Sequence, residues 1–204
     1  MRMKSSGKAL SLAASTLAAV LLAAGPASAQ SPGTSPTPAD QQMQKMLQMY
    51  TPELREKVTS LKPETRKQLL EMLSVHTNRS NKVTFRQVMQ EVLSDYQAIV
   101  AGLATDNPEM AADAARRLAN HRLPKGGLYP YFALDNINDV DMSILPAMNA
   151  AVEGSALKVA EAAERGDMIT AAGHLADTMN GCISCHTKFR GQPGVSDKLL
   201  DAGQ

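Results

Sequence analysis

Two thiols and an imidazole stand together near the C-terminal end of the chain, as Cys182-Ile183-Ser184-Cys185-His186, and these two cysteines are the only ones in the sequence. Their spacing puts both thiols along one side of a helix. His186 follows Cys185 directly and comes one turn after Cys182. Cys-x-x-Cys-His is the attachment pattern for a c-type haem. The two thiols reach the two vinyl groups of one macrocycle and form thioethers, and the adjacent histidine ligates the iron as proximal ligand. Three other chemistries use paired cysteines. A redox dithiol wants an adjacent strand and a helix N-terminus to lower the thiol pKa, whereas this motif comes late in a long helical pattern. A zinc site wants four ligands. Cys182, Cys185 and one of His174, His121 or His76 could be assembled, but there is no second paired motif. A disulfide across two intervening helical residues is geometrically awkward.

The elements that must present this turn read as helices throughout. Three Phe, four Tyr and no Trp, with Ala, Leu and Met abundant, favour helix over strand, and no segment alternates with period two. The spacing predicts four longer helices. The first starts after Thr84, with Gln87 completing a capping box and Val83 with Val88 as a hydrophobic staple. Its apolar stripe is Phe85, Val88/Met89, Val92, Tyr96, Ile99 and Leu103, close to a 3.6-residue period. The second runs from Pro108 to about His121, capped by Asn107 and stopped near Pro124. The third runs from about Ser143 to Arg165. The fourth starts at Asp167, after Gly166, and continues to about Arg190, where Gly191 and Pro193 end it. Ala172, Leu175, Met179 and Cys182 read as one face of that last helix, which would set a macrocycle inside the fold. Two short turns and one long crossover, 122–142, predict a four-helix bundle.

Residues 39–81 read as an extra helical segment outside that bundle. Met43, Met46, Leu47 and Tyr50 share one helical face, and Thr51-Pro52-Glu53 and Lys62-Pro63-Glu64 restart the chain with prolines at first helical positions. Residues 30–38 are Ser/Pro/Gly/Thr-rich and read as a flexible linker. Residues 82–191 form the predicted haem domain and 192–204 a C-terminal tail.

The first 29 residues read as a secretory signal. Arg2, Lys4 and Lys8 precede an uncharged apolar run, Ala9 to Ala24, and Ala27-Ser28-Ala29 supplies a signal-peptidase pattern. The run is too short to span a bilayer, so no stable membrane span is expected after cleavage, and export to the periplasm is. The product would begin near Gln30. Removing the three leader cations from the 21 Lys and Arg leaves 18 against 20 Asp and Glu, a net charge of −2. That gives no basic field for nucleic acid. It also marks no strong charge complement for a partner.

The run Cys182-Ile183-Ser184-Cys185-His186-Thr187-Lys188-Phe189-Arg190 resembles the C-terminal signature of class II cytochromes c, the cytochrome c′ group. In that family the haem motif lies on the last helix of a four-helix bundle, with an aromatic and an arginine three and four residues after the histidine, where this chain has Phe189 and Arg190. The resemblance covers roughly Val83 to Gly191. It implies one covalent haem and electron transfer with redox partner proteins, or the binding of small gases such as NO or CO at an open distal face. Some relatives pair two bundles through their first two helices, so a homodimer is also implied. A haem-free helical protein binding metal through Cys182 and Cys185 stands as a further alternative. No nucleophile–base pair and no second haem motif points to an enzyme.

The resemblance also marks side chains around the iron. Arg190 would lie near the proximal histidine; by position alone it is a cation complementing a helix C-terminus. Met89, on the core face of the first helix, is the candidate distal iron ligand, and a core methionine filling space is the plainer alternative. Arg86 resembles the family arginine that lies near a haem propionate. The usual four-residue count from Arg86 lands on Gln90, off the apolar stripe, so the two assignments do not share one register. His121 reads as an end residue complementing its helix dipole. His76 also falls near a helix end, and His174 is one position off the last helix's stripe. None of the three is placed opposite His186 by helical period.

Overall fold

The structure, a computed structural model, describes residues 37–190. The signal segment, most of the linker and the C-terminal tail lie outside the described residues. Within them every regular element is helical. An isolated bridge joins Arg79 and Leu123, flanked by Leu123 N–H donating to the Asn78 carbonyl at 2.9 Å and Ser80 N–H to the Leu123 carbonyl at 3.1 Å. No described helix is long and apolar enough to cross a membrane.

The four predicted long segments appear as α4 (Phe85–Ala104), α5 (Pro108–Ala119), α8 (Ser155–Glu164) and α9 (Met168–Phe189). Thr84 caps α4 as expected. Its hydroxyl accepts from Gln87 N–H while Gln87 Oε1 accepts from Thr84 N–H. Asn107 caps α5 by accepting from Met110 N–H, and Asp167 caps α9 by accepting from Thr170 N–H. α4 packs on α5, α5 on α8, α8 on α9, and α9 meets α4 again. The core they enclose is alanine-rich, with Ala111, Ala114, Ala115, Ala156, Ala160 and Ala163 buried. Small side chains let the helices approach closely, and Gly102 marks the tightest point: a Cβ there would fall 2.6 Å from Ala111 N.

Two expectations need correction. The third helix does not run unbroken from Ser143. It is divided into α6 (Asp139–Ser143), α7 (Leu145–Asn149), a π-helical turn at Ala150–Gly154, and α8. Pro146, inside the expected helix, has no N–H to donate to the carbonyl four residues back, which separates α6 from α7. On α9 the buried face is Ala171, Leu175, Thr178 and Gly181. Ala172 and Met179 are exposed. The seam is therefore turned by about one residue from the expected face.

The segment before α4 contains α1 (Pro38–Gln48), α2 (Pro52–Ser60) and α3 (Pro63–Ser74). α1 starts inside the stretch read as linker: Thr37 caps it and Asp40 closes a capping box. These helices build a second core jointly with the 122–142 crossover and the end of α9. Tyr50, Leu54, Val58, Phe132, Met142 and Phe189 are buried in it. The Tyr50 hydroxyl donates to the Gly126 carbonyl at 2.6 Å. Asp139 Oδ1, at the start of α6, accepts from Lys62 N–H at 2.8 Å and the Thr65 hydroxyl at 2.7 Å, fastening α3 to the crossover.

Candidate functional site

Between the two cores lies a cavity of about 490 Å³, within the ordinary range for ligand and cofactor sites. α9 contributes Cys182, Cys185, His186, Phe189 and Arg190, and α4 contributes Arg86, Met89 and Gln90. Residues far apart in the sequence meet here because α9 packs on α4 with one face and, through Phe189, enters the second core. Phe189 packs against Phe132, the rings tilted by 44° with centroids 4.7 Å apart. The rest of the lining is mainly apolar, with Phe85, Val92, Leu128, Tyr131 and Leu145 among it.

Both cysteines are free and half-buried. Burial pushes the Cys182 thiol pKa up, and burial with the neighbouring Cys182 does the same to Cys185. That is opposite to the depressed thiol of a redox Cys-x-x-Cys pair. Nor do the cysteines gather a metal-binding group: among the described residues the one set of three or more His, Cys, Asp or Glu ligand atoms within mutual reach excludes both of them. His186 is exposed where the cavity meets solvent. Partial burial, then the Arg190 guanidinium, lowers its pKa and so favours the neutral imidazole, the form that ligates metals. Its backbone carbonyl accepts the last helical bond, from Arg190 N–H at 3.0 Å. Lys188 reaches across to Asp141 Oδ1 at 2.7 Å and ties the motif's helix to α6.

Met89 is half-buried, packs against the alanine-rich core and also borders the cavity. Arg86 and Gln90 are exposed and border the same space. The cavity-facing side of α4 is thus a second stripe, Phe85, Arg86, Met89, Gln90 and Leu93, beside the core stripe of Val88, Val92 and Ile99. Both the Met89 and the Gln90 registers reach the site.

The donor set fits a covalently held macrocycle. Two thiols and a neutral-leaning imidazole on one helical turn face an apolar space, with two arginine cations at its border. Those cations are suited to pair with carboxylates.

Three cavity residues were not picked out as a set by sequence reasoning. His76, directly after α3, is 3% exposed, and Glu153, on the π-helical turn, is 6% exposed. His121 lies past the end of its helix and not in its last turn, where it was expected to complement the helix dipole. α5 ends at Ala119, and the imidazole turns inward, its side chain only 12% exposed. Glu153 Oε1 lies 3.0 Å from His76 Nε2 and 3.2 Å from His121 Nε2. Asn149 Nδ2 donates to Glu153 Oε2 at 2.8 Å. Burial alone would raise the Glu153 pKa, but the bonds to His121 and His76 outweigh it and the net shift is downward. Burial alone would lower that of His121, and the Glu153 and Arg122 contacts turn the net shift upward. His174 lies apart from this set, 3.6 Å from Asp177 Oδ2. One sequence signal could have marked Glu153: it is the single charged residue between Asp141 and Lys158.

α9 is pressed onto the π-helical turn at Gly181, the residue before Cys182. A Cβ there would fall 2.8 Å from Val152 Cγ2 and 2.9 Å from the Ala151 carbonyl carbon. The cysteine wall and the Glu153 wall of the cavity are therefore held in register by one close contact. Compared with protein-family models, curated proteins and solved structures, the chain finds no match in any of the three.

Proposed function

We propose that this chain is an exported, periplasmic monohaem c-type cytochrome that transfers electrons. In this reading α4, α5, the π-turn with α8, and α9 form a four-helix bundle like that of the class II cytochromes c, with α1 to α3 added before it. One observation carries the proposal: Arg86, Met89, Cys182, Cys185, His186, Phe189 and Arg190, marked by motif or resemblance alone, all border a single apolar cavity.

The residues divide the work. Cys182 and Cys185 would hold the macrocycle and His186 would ligate its iron. The bound haem supplies a one-electron couple whose potential depends on its axial ligands and surroundings. Apolar side chains of α4 and the crossover keep water from the site, a second influence on potential. Arg86 and Arg190 offer cations to the propionates. Met89, bordering the same cavity, would offer its thioether as a second ligand to the iron. Its partners are redox proteins, and a homodimer is compatible with the role. No catalytic function is proposed.

The optical spectrum of the purified holoprotein tests the electron-transfer form. A low-spin ferric spectrum with a thioether–iron charge-transfer band, lost in Met89→Ala, is expected. A high-spin spectrum with ready carbon monoxide binding would overturn it in favour of an open distal face.

A further inference from the structure

We infer that His76, His121 and Glu153 form a binding site for one divalent transition-metal ion, in the wall of the same cavity and separate from the cysteine motif. The inference stands on different residues from the haem reading and does not depend on it.

The geometry is that of converging ligands. Two donors at about 2.0–2.1 Å from one ion, at the angles of octahedral or tetrahedral coordination, lie about 2.9–3.4 Å apart. Glu153 Oε1 is 3.0 and 3.2 Å from the two imidazole Nε2 atoms, and all three ligand atoms lie within 4.8 Å of one another. Two imidazoles and one carboxylate are a donor set for zinc(II) or iron(II), with coordination positions left open toward the cavity.

The surrounding hydrogen bonds orient the set. His121 Nδ1 faces the Arg122 carbonyl at 2.9 Å, so that nitrogen carries the proton, and a neutral His121 then presents the lone pair of Nε2 to Glu153. A lone pair facing a carboxylate oxygen is repulsive unless a proton or a metal cation stands between them. This outward N–H bond is the usual way a protein fixes the tautomer of a metal-ligating histidine. Asn149 holds the other carboxylate oxygen in place. A second observation points to a ligand: His76 Nδ1 is buried with no hydrogen-bond partner, although the residue is 3% exposed and lines the cavity. Buried imidazole nitrogens are rarely left so. Finally, Glu153 projects from a π-helical turn, a rare distortion that recurs at functional sites.

The metal-free alternative is a buried ion pair with His121 doubly protonated. The test uses the exported protein with whatever haem it carries, stripped with chelator and dialysed against zinc chloride. Expected are one zinc per chain by elemental analysis, a rise in Tm that grows with zinc concentration, and X-ray absorption showing only nitrogen and oxygen neighbours at about 2.0–2.2 Å. His121→Gln and Glu153→Gln should each lower affinity by more than about 100-fold, beyond the loss from removing a residue that merely orients a ligand. Absence of stoichiometric zinc on the wild-type protein overturns the inference. So does undiminished binding by both variants. Sulfur neighbours at about 2.3 Å would place the ion on Cys182 and Cys185, overturning this site and the haem reading together. Covalent haem without zinc would overturn this site alone. The wild-type measurements decide the matter even where a variant fails to fold.

Discussion

Phe189 belongs to two structures at once. It lies three residues after the proposed iron ligand and, itself 4% exposed, packs against Phe132 in the second core. Phe189→Ala should therefore destabilise the fold by about 3–5 kcal/mol, the usual cost of removing a buried aromatic ring, measured by denaturant unfolding. A cost below about 1 kcal/mol would mean that α9 does not depend on this contact. Residues such as this are partly legible in sequence. The Cys-x-x-Cys-His motif could be read because its spacing is local: two thiols and an imidazole fall on one turn whatever surrounds them. The His76, His121 and Glu153 set could not, because its members are 45 and 32 positions apart and meet only once α3, α5 and the π-helical turn are packed. Each of the three, taken singly, resembles an ordinary residue near a helix end or on a solvated face.

At the scale of the element, helix starts were legible and helix continuity was not. Thr84, Asn107 and Asp167 each cap by a hydrogen bond to a residue three positions on, so the signal lies within four residues. The interruption at Pro146 followed from a known local effect, yet the apolar run on both sides concealed it. The π-helical turn has no local signal beyond an isolated acid in an uncharged stretch. Gly181 is where this turn and α9 meet, and Gly181→Val should destabilise by about 1–3 kcal/mol through overpacking. It should also disturb both walls of the cavity, seen as lower haem incorporation relative to protein. A stable variant with full incorporation would show that the close approach is dispensable. The link between α3 and α6 should be acid-sensitive. The Thr65 hydroxyl, and then Lys62 N–H, hold the Asp139 carboxyl below the usual range. A lowered folded-state pKa means the contribution is present above the unfolded value of about 3.9 and lost as pH falls through the folded value. Asp139→Asn should thus be less stable than wild type at pH 6, with the difference in Tm closing as pH drops toward 3. A difference independent of pH would contradict the assignment.

For the whole molecule, the all-helical class and the order of the long helices were legible from composition and periodicity. The second core was not. α1 to α3 look like an appendage in sequence because their apolar faces have no partner nearby in the chain. Their partners are the crossover, 122–142, and Phe189. Together they turn what would be an open flank into one wall of the cavity, to which Met72, Leu73 and His76 contribute. A chain lacking residues 38–74 should consequently lose stability and expose the cysteine wall, seen as increased binding of a hydrophobic dye. Unchanged dye binding would mean the segment covers nothing.

The central claim is that Cys182, Cys185 and His186 hold one covalent haem after export. Intact-protein mass spectrometry of the periplasmic product, denatured and separated from non-covalent ligands, tests it most directly. A mass greater than that of the polypeptide by one haem is expected, with neither cysteine reactive toward a thiol reagent. A mass equal to the polypeptide alone, with both thiols open to modification, would contradict it.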